Sequence, residues 1–290
     1  MKILTLILAM TVCACANDDD RKSSAPDVIT IGVLPDQNKS DLTRRYAPLM
    51  DYLETETGLD IVLSIPSDYE EFLDEFNAGH LQLANFGGMT FIQAEQKSQA
   101  VPLVMRDIDL QFTSCYIINA SDGRRSVAEF EGEVFSFGPN LSTSGHIMPR
   151  YFLITGGIVP ERFFSSVQYS SGHDQTAKWV SDEIVAIGVA NCDIVQSMFD
   201  DGRLSTAKLR ILETTPPYPN YVWATQASLD LSLKHLLRDA FLGLDLTNPM
   251  HLPLLKAQGA GGYLPAGRDD FEDIRAAVRE LASLVQSDPN

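Results

Sequence analysis

The chain has 290 residues, 44% of them hydrophobic, with 39 acidic against 22 basic side chains and a formal net charge of −17. That length and apolar content suffice for a large buried core, in two lobes or one big domain, and exclude a disordered chain. The acidic balance excludes a nucleic-acid partner, which needs a basic face to release counterions; a small anion at a concave site remains open, because exposed charges beyond roughly 10 Å are screened.

The chain opens with Lys2, an apolar run from Ile3 to Val12, and Cys13-Ala14-Cys15-Ala16-Asn17. The run is too short to span a bilayer as a stable helix and ends in small residues, as a cleavable export signal does. Val12-Cys13-Ala14-Cys15 resembles a bacterial lipobox, which makes residues 1–15 a lipoprotein signal peptide and Cys15 the site of lipidation. Cys13 suits the role less well, having Val12 just before the cleavage point; a plain secretory signal is the alternative. Residues 16–27, rich in Asp, Ser and Lys, then form a polar tether with little to pack.

Beyond the tether, short apolar strands alternate with amphipathic helices. Val28 to Leu34 predicts a strand, and Leu42, Tyr46, Leu49, Met50 and Leu53 fall at helical spacing between Ser40 as N-cap and Gly58 as C-cap. Ile61–Ile65, Leu81–Phe86, Val101–Met105 and Cys115–Ile118 follow as strands, with helices around Tyr69–Asn77 and Phe91–Ser98. This rhythm predicts an α/β fold with a mostly parallel sheet. After the turn-rich Asn119–Arg125, a second series runs through Val134–Phe137, Val167–Tyr169, Ile184–Val189 and Leu209–Leu212. The Pro-rich Thr214–Pro219 segment leads to a strand at Tyr221–Thr225 and helices at Leu229–Leu244 and Phe271–Val285, which return to the first lobe. The expected division is residues 28–118 with 215–290 in lobe 1 and 119–214 in lobe 2.

Two polar loops stand out: Ser142-Thr143-Ser144-Gly145 opens the amphipathic stretch His146–Ile154, and Ser171-Gly172-His173-Asp174 opens the stretch toward Val180. Each has the makings of a helix N-terminus that holds an anion, since first-turn N–H groups are unpaired at the positive end of the dipole and hydroxyls add neutral donors. Each is also what an ordinary N-cap looks like. His173 adds a group that titrates near neutral pH, with capping of its own helix as the plainer role. Tyr69, Gly87 and Gly88 are candidates for the facing wall, glycine allowing backbone N–H groups close to a ligand. Tyr218 sits where the chain returns between lobes, as a ligand contact or a packing residue.

Motifs in order along the chain carry a family resemblance: Gly32-Val33-Leu34-Pro35-Asp36, Arg45-Tyr46-Ala47-Pro48-Leu49, Asn85-Phe86-Gly87-Gly88-Met89-Thr90-Phe91, Phe112-Thr113-Ser114, the two polar loops, Pro149-Arg150-Tyr151-Phe152, and Pro216-Pro217-Tyr218. The chain is similar to the phosphonate, phosphite and phosphate branch of the periplasmic solute-binding proteins that serve ABC transporters. The resemblance implies two α/β lobes of the type II periplasmic-binding-protein fold, joined by a two-stranded hinge, closing on a small oxyanion. It implies that Ser142, Thr143, Ser144 and His173 hold the ligand's oxygens, with Gly145 and Asp174 beside them. It also implies a periplasmic lipoprotein that meets a transporter permease. No cofactor or metal is expected.

The departure from that pattern is cysteine. Cys115 stands where relatives usually carry an apolar or aromatic residue, and Cys192 follows Asn191 where a polar or acidic pocket residue is expected. Three readings stay open: two small buried hydrophobes, a disulfide allowed by export, or thiols that bind a soft ligand such as arsenite. The last resembles arsenite-sensor lipoproteins that report to a membrane histidine kinase. Arg106-Asp107-Ile108-Asp109 with Gln111-Phe112 resembles selenate-uptake relatives instead. The chain carries no nucleophile elbow, P-loop, dinucleotide fingerprint or metalloprotease helix, and His80, His146, His173, His235 and His251 lack metal-ligand spacing, so no enzyme is expected.

Overall fold

The computed structural model describes residues 28–287; the expected signal peptide, tether and Cys15 lie outside them. Eleven strands form among the described residues: β1 (Val28–Val33), β2 (Asp60–Ser64), β3 (Leu83–Phe86), β4 (Val101–Arg106), β5 (Ser114–Asn119), β6 (Val134–Phe137), β7 (Ser166–Tyr169), β8 (Ile187–Asn191), β9 (Leu209–Thr214), β10 (Val222–Thr225) and β11 (Tyr263–Pro265). They make two sheets, ordered β11-β4-β10-β3-β1-β2 and β7-β6-β8-β5-β9, one per lobe.

Both sheets are mixed, where the βα rhythm predicts mostly parallel ones. β1 pairs parallel with β2 and β3, and β6 with β7 and β8. β10 and β11 join the first sheet antiparallel, and β5 joins β8 and β9 antiparallel. A strand delivered from the neighbouring lobe has no crossover helix to force it parallel, and β5 and β10 are such strands. β5 also corrects the expected division. Cys115–Ile118 pairs inside the second sheet, so the first lobe ends before Ser114 rather than at Ile118; an apolar run marks a strand but not its partner.

Helices form where apolar spacing meets a capping side chain. Lys39–Thr57 buries Leu42, Tyr46, Leu49, Met50 and Leu53 and ends at Gly58 with φ 70°, a left-handed position that glycine takes without strain. Its N-cap is Asn38, accepting from the Asp41 N–H, and not Ser40, whose hydroxyl donates to Asn38. Tyr69–Asn77 is capped by Asp68 and buries Tyr69, Phe72, Leu73 and Phe76. Strand alternation then sends side chains to opposite faces. Ile29, Ile31, Val33 and Leu83 join one apolar core with Leu49, Leu53 and Phe241, while Ala84 and Phe86 join another with Phe72, Phe76 and Phe91. In the second lobe Cys115 and Ile117 face one core, Tyr116 and Ile118 the other. Each fully buried Phe or Leu contributes about 1.5–3 kcal/mol. Elements that went unforeseen include β11 and the helices Pro160–Phe163, Cys192–Asp200 and Leu252–Gln258.

The chain crosses between lobes twice, and the crossings pair. Phe112 and Tyr218 exchange both backbone hydrogen bonds at 3.0 Å, and Ser114 receives the Thr215 N–H at its carbonyl while donating its own N–H to the Thr215 hydroxyl. This two-stranded ribbon positions the facing ends of both sheets.

Candidate functional site

Both polar loops lie at the seam between the lobes. β6 ends at Phe137, and the turn beyond it brings Ser142 to the start of a single π-helical turn, Thr143–Ile147, which runs into the helix Met148–Thr155. π turns are uncommon and gather at functional sites. β7 ends at Tyr169, and the helix His173–Ser181 starts after Gly172 without a side-chain cap. Ser142, Thr143, Ser144 and His173 are all buried.

The hydrogen bonds fix how these groups present themselves. His173 Nδ1 accepts the Asn191 backbone N–H at 3.1 Å, so the ring proton sits on Nε2, which faces Ser142 Oγ at 3.3 Å. Burial pushes the His173 pKa below its usual value and keeps the ring neutral, against the opposing pull of Asp36 and Asp174. Ser142 Oγ also accepts the Gly145 N–H at 2.9 Å. With both lone pairs of that oxygen engaged, its O–H remains as a donor. Ser142 is therefore a cap and a donor at once. Gly145 is there because nothing larger fits: a Cβ would lie 2.9 Å from Gly138 Cα and from His173 Cε1.

The first lobe meets these loops closely. The Met89 N–H donates to Thr143 Oγ1 at 2.8 Å, and the His173 N–H donates to the Asp36 carbonyl at 2.9 Å. Gly87 precedes the helix Gly88–Ser98, and a Cβ on it would come within 3.2 Å of Thr143 Oγ1. Asn220 Oδ1 accepts the Gly88 N–H at 3.3 Å. Tyr69 is buried beside Asp36 and Ser142, both of which influence its hydroxyl, yet that hydroxyl has no hydrogen-bond partner among the described residues. Asp36 Oδ2 accepts the Tyr221 hydroxyl at 2.6 Å, and that hydroxyl accepts Asn191 Nδ2 at 3.0 Å. Asp36 Oδ1 and Asn220 Nδ2 are buried without a partner among the described residues. Three orphaned polar atoms in one seam are unusual, since nearly all buried polar groups are paired.

The remaining candidates fall elsewhere. Asp174 receives Asn38 Nδ2 at 3.2 Å and lies 3.6 Å from Lys178 Nζ, bracing the lobes at the rim. Tyr218 lies in the hinge ribbon, its hydroxyl 2.5 Å from Ser114 Oγ and its ring against Phe112 and Phe152. Arg106 is locked on Asp109 through two side-chain hydrogen bonds and on the Gln258 carbonyl, and it also reaches Asp193 of the second lobe at 3.5 Å, so its charge is neutralised by carboxylates on both sides of the seam. Cys115 and Cys192 are joined in a disulfide with Cα atoms 5.0 Å apart. That removes the thiolate on which the arsenite-sensor reading depends, and Cys115 itself is buried among Ile117, Ala190 and Ile194. Two recesses of about 690 and 720 Å³ open at the rims of the seam; their walls include Asn38 and Gln175 in one, Asp41 and Arg203 in the other. Neither is lined by Ser142 or His173.

Asp36, Asn220 and Tyr221 lie in the same seam and were not among the candidates read from the sequence. Asp36 had a readable signal, standing just past the carboxyl end of a predicted strand, where open α/β sheets bind ligands. Among the described residues no cluster of His, Cys, Asp and Glu is arranged to hold a metal ion, and no helix is long and apolar enough to cross a membrane.

The family described as "ABC transporter, phosphonate, periplasmic substrate-binding protein" matches residues 31–271. The probable ABC transporter phosphite binding protein PhnD1 of Prochlorococcus marinus (strain MIT 9301) is 26% identical over 273 residues, covering 90% of this chain and 92% of that protein. The phosphate-import protein PhnD of Mycolicibacterium smegmatis is 26% identical over 251 residues, covering 81% of this chain and 78% of that protein. The 1.52 Å structure of Prochlorococcus marinus PhnD1 in complex with methylphosphonate superposes with a TM-score of 0.83 at 25% identity, covering 89% of this chain and 99% of that one.

Proposed function

This chain belongs to the phosphonate periplasmic substrate-binding proteins of ABC transporters, and we propose that it captures a small oxyanion, of the phosphonate, phosphite, phosphate or selenate class, between its lobes for a membrane permease. The observation that carries the reading is the seam itself. The Ser142 hydroxyl, freed as a donor by the His173 Nε2–H that it accepts, the Thr143 hydroxyl and the π-turn N-terminus converge with Tyr69 and Asn220 from the other lobe, and their donors are directional and uncharged. No Lys or Arg forms part of that set, which favours reversible capture over permanent pairing. The lobes already touch through Met89 and Thr143, so a ligand enclosed there is only a few atoms across. The named ligands of the relatives, phosphite, phosphate and methylphosphonate, are of that size.

Delivery by a binding protein requires export and return to a membrane, and the Val12–Cys15 segment supports a lipid anchor on Cys15. The family is one of transporter components rather than of enzymes. Isothermal titration of the mature chain with methylphosphonate, phosphite, phosphate, selenate and arsenite tests the reading. Micromolar or tighter binding of at least one of the first four is expected; binding of none, or of arsenite alone, defeats it. Cys15→Ser should shift the protein from the membrane fraction to the soluble periplasmic fraction.

A further inference from the structure

The first turn of the helix Lys39–Thr57 meets the second lobe at the rim of the seam, through ionic contacts in which the oxyanion donors take no part. Asp41 Oδ2 lies 2.5 Å from Arg203 Nη1, a pair that joins the lobes across a sequence separation of 162. Asn38 Nδ2 donates to Asp41 Oδ2 at 2.6 Å and to Asp174 Oδ2 of the second lobe at 3.2 Å, while Asn38 Oδ1 accepts the Asp41 N–H at 3.1 Å. Arg106 Nη2 adds a third crossing, 3.5 Å from Asp193 Oδ2. The Asp41 and Arg203 side chains are 9% and 25% exposed, so water screens this pair only in part.

Each partner is held in place without the other. Asp41 keeps Arg44 on Oδ1 at 2.5 Å and Asn38 on Oδ2, at the positive end of its own helix. Arg203 Nε sits between the two carboxylate oxygens of Asp201 at 2.9 and 2.8 Å, and Nη2 faces Ser197 Oγ at 3.3 Å, which aims Nη1 at the first lobe. Parting the lobes therefore strands neither charge, and rejoining them orders no loose side chain. An interaction made in only one of two conformations shifts their balance by its full free energy, and a site completed by closure gains apparent affinity in proportion. We propose that Asn38, Asp41 and Arg203 form an ionic latch that holds the lobes together and sets how tightly and how long the ligand is kept, and that rising ionic strength loosens it. The effect on affinity rests on the oxyanion reading above; the latch between the lobes does not.

The test compares the mature wild-type chain with Arg203→Gln, Arg203→Lys and Lys256→Gln at low and high sodium chloride, with folding checked by circular dichroism. Lys256 lines the same recess as Asp41 and Arg203 but makes no ion pair among the described residues, so its removal controls for net charge. Small-angle X-ray scattering without ligand reads lobe separation; calorimetry and stopped-flow mixing with methylphosphonate and phosphite read affinity and release. At low salt Arg203→Gln should enlarge the radius of gyration, weaken binding about 5- to 10-fold through faster release, and lose most of the salt dependence that the wild type shows. Arg203→Lys, which keeps the charge without the planar fork, should recover part of the loss, and Lys256→Gln should behave as the wild type. Affinity, release and salt response in folded Arg203→Gln equal to those of the wild type overturn the latch, as does an equal effect of Lys256→Gln. If neither ion binds, the oxyanion reading falls and scattering alone decides the latch: expansion in Arg203→Gln upholds it, and an unchanged radius overturns it.

Discussion

His173 Nε2 lies 3.3 Å from Ser142 Oγ, while the Asn191 backbone N–H holds the opposite ring nitrogen. Three separate segments of the second lobe thereby set one hydrogen-bond chain, in which the imidazole is neutral and Ser142 is left as a donor. Replacing His173 by Ala should weaken oxyanion affinity by about 1–3 kcal/mol, the loss common for hydrogen bonds to charged groups. His173→Gln, which can place an amide N–H near Nε2, should recover part of it, as read by titration calorimetry.

The same burial makes stability depend on pH in a defined direction. His173 is shifted down and His146 is pushed down to about 4, both chiefly by burial. The folded state then binds fewer protons than the unfolded chain below the free-imidazole range. Stability is fully present above about pH 6.5 and is lost as pH falls through and below it. Melting temperature of the ligand-free protein should be flat in this respect from pH 7 to 8 and drop between pH 6.5 and 4.5. His146→Gln should lessen the drop.

Thr143 is the point at which one loop touches the facing lobe, through the Met89 N–H. Thr143→Ala should cost about 1–3 kcal/mol of binding with little change in ligand-free melting temperature, and Thr143→Ser should keep most of the affinity. An equal loss of ligand-free stability would assign Thr143 to structure alone.

Gly145 has no space for a methyl group between Gly138, His173 and Ser142. Gly145→Ala should destabilise the fold by about 1–3 kcal/mol and displace the imidazole, lowering affinity further than the stability loss accounts for. Parallel thermal melts and titrations read both effects.

The Cys115–Cys192 bond closes a loop with a sequence separation of 77. The chain-entropy relation gives about 4 kcal/mol for a loop of that size. Urea unfolding with and without reductant should show a difference of that order. Cys115→Ser/Cys192→Ser should bind the oxyanion nearly as the wild type does, because neither sulfur takes part in the hydrogen bonds of Ser142, Thr143 or His173.

Local pattern carried much of the fold. Leu42, Tyr46, Leu49 and Leu53 mark a helix face, Gly58 its end, and Ile29, Ile31 and Val33 a strand, because these signals depend on neighbours within one or two turns. The Ser142–Gly145 and Ser171–Asp174 loops were legible as helix starts for the same reason. Pairing was not: β5 reads as a strand wherever it docks, and only packing placed it between β8 and β9. Cys115 likewise left three chemistries open until the fold brought Cys192 to it.

By itself the amino-acid order determined an acidic α/β chain with two hydroxyl-rich helix starts, since composition and short-range periodicity are properties of the unfolded string. Only the tertiary structure decided that Asp36, Tyr221 and Asn220 from one lobe face Ser142, His173 and Asn191 from the other. Contacts between residues 36, 142, 173 and 221 leave no periodic trace, because they are made by the meeting of strand ends on two sheets that a paired ribbon holds in register.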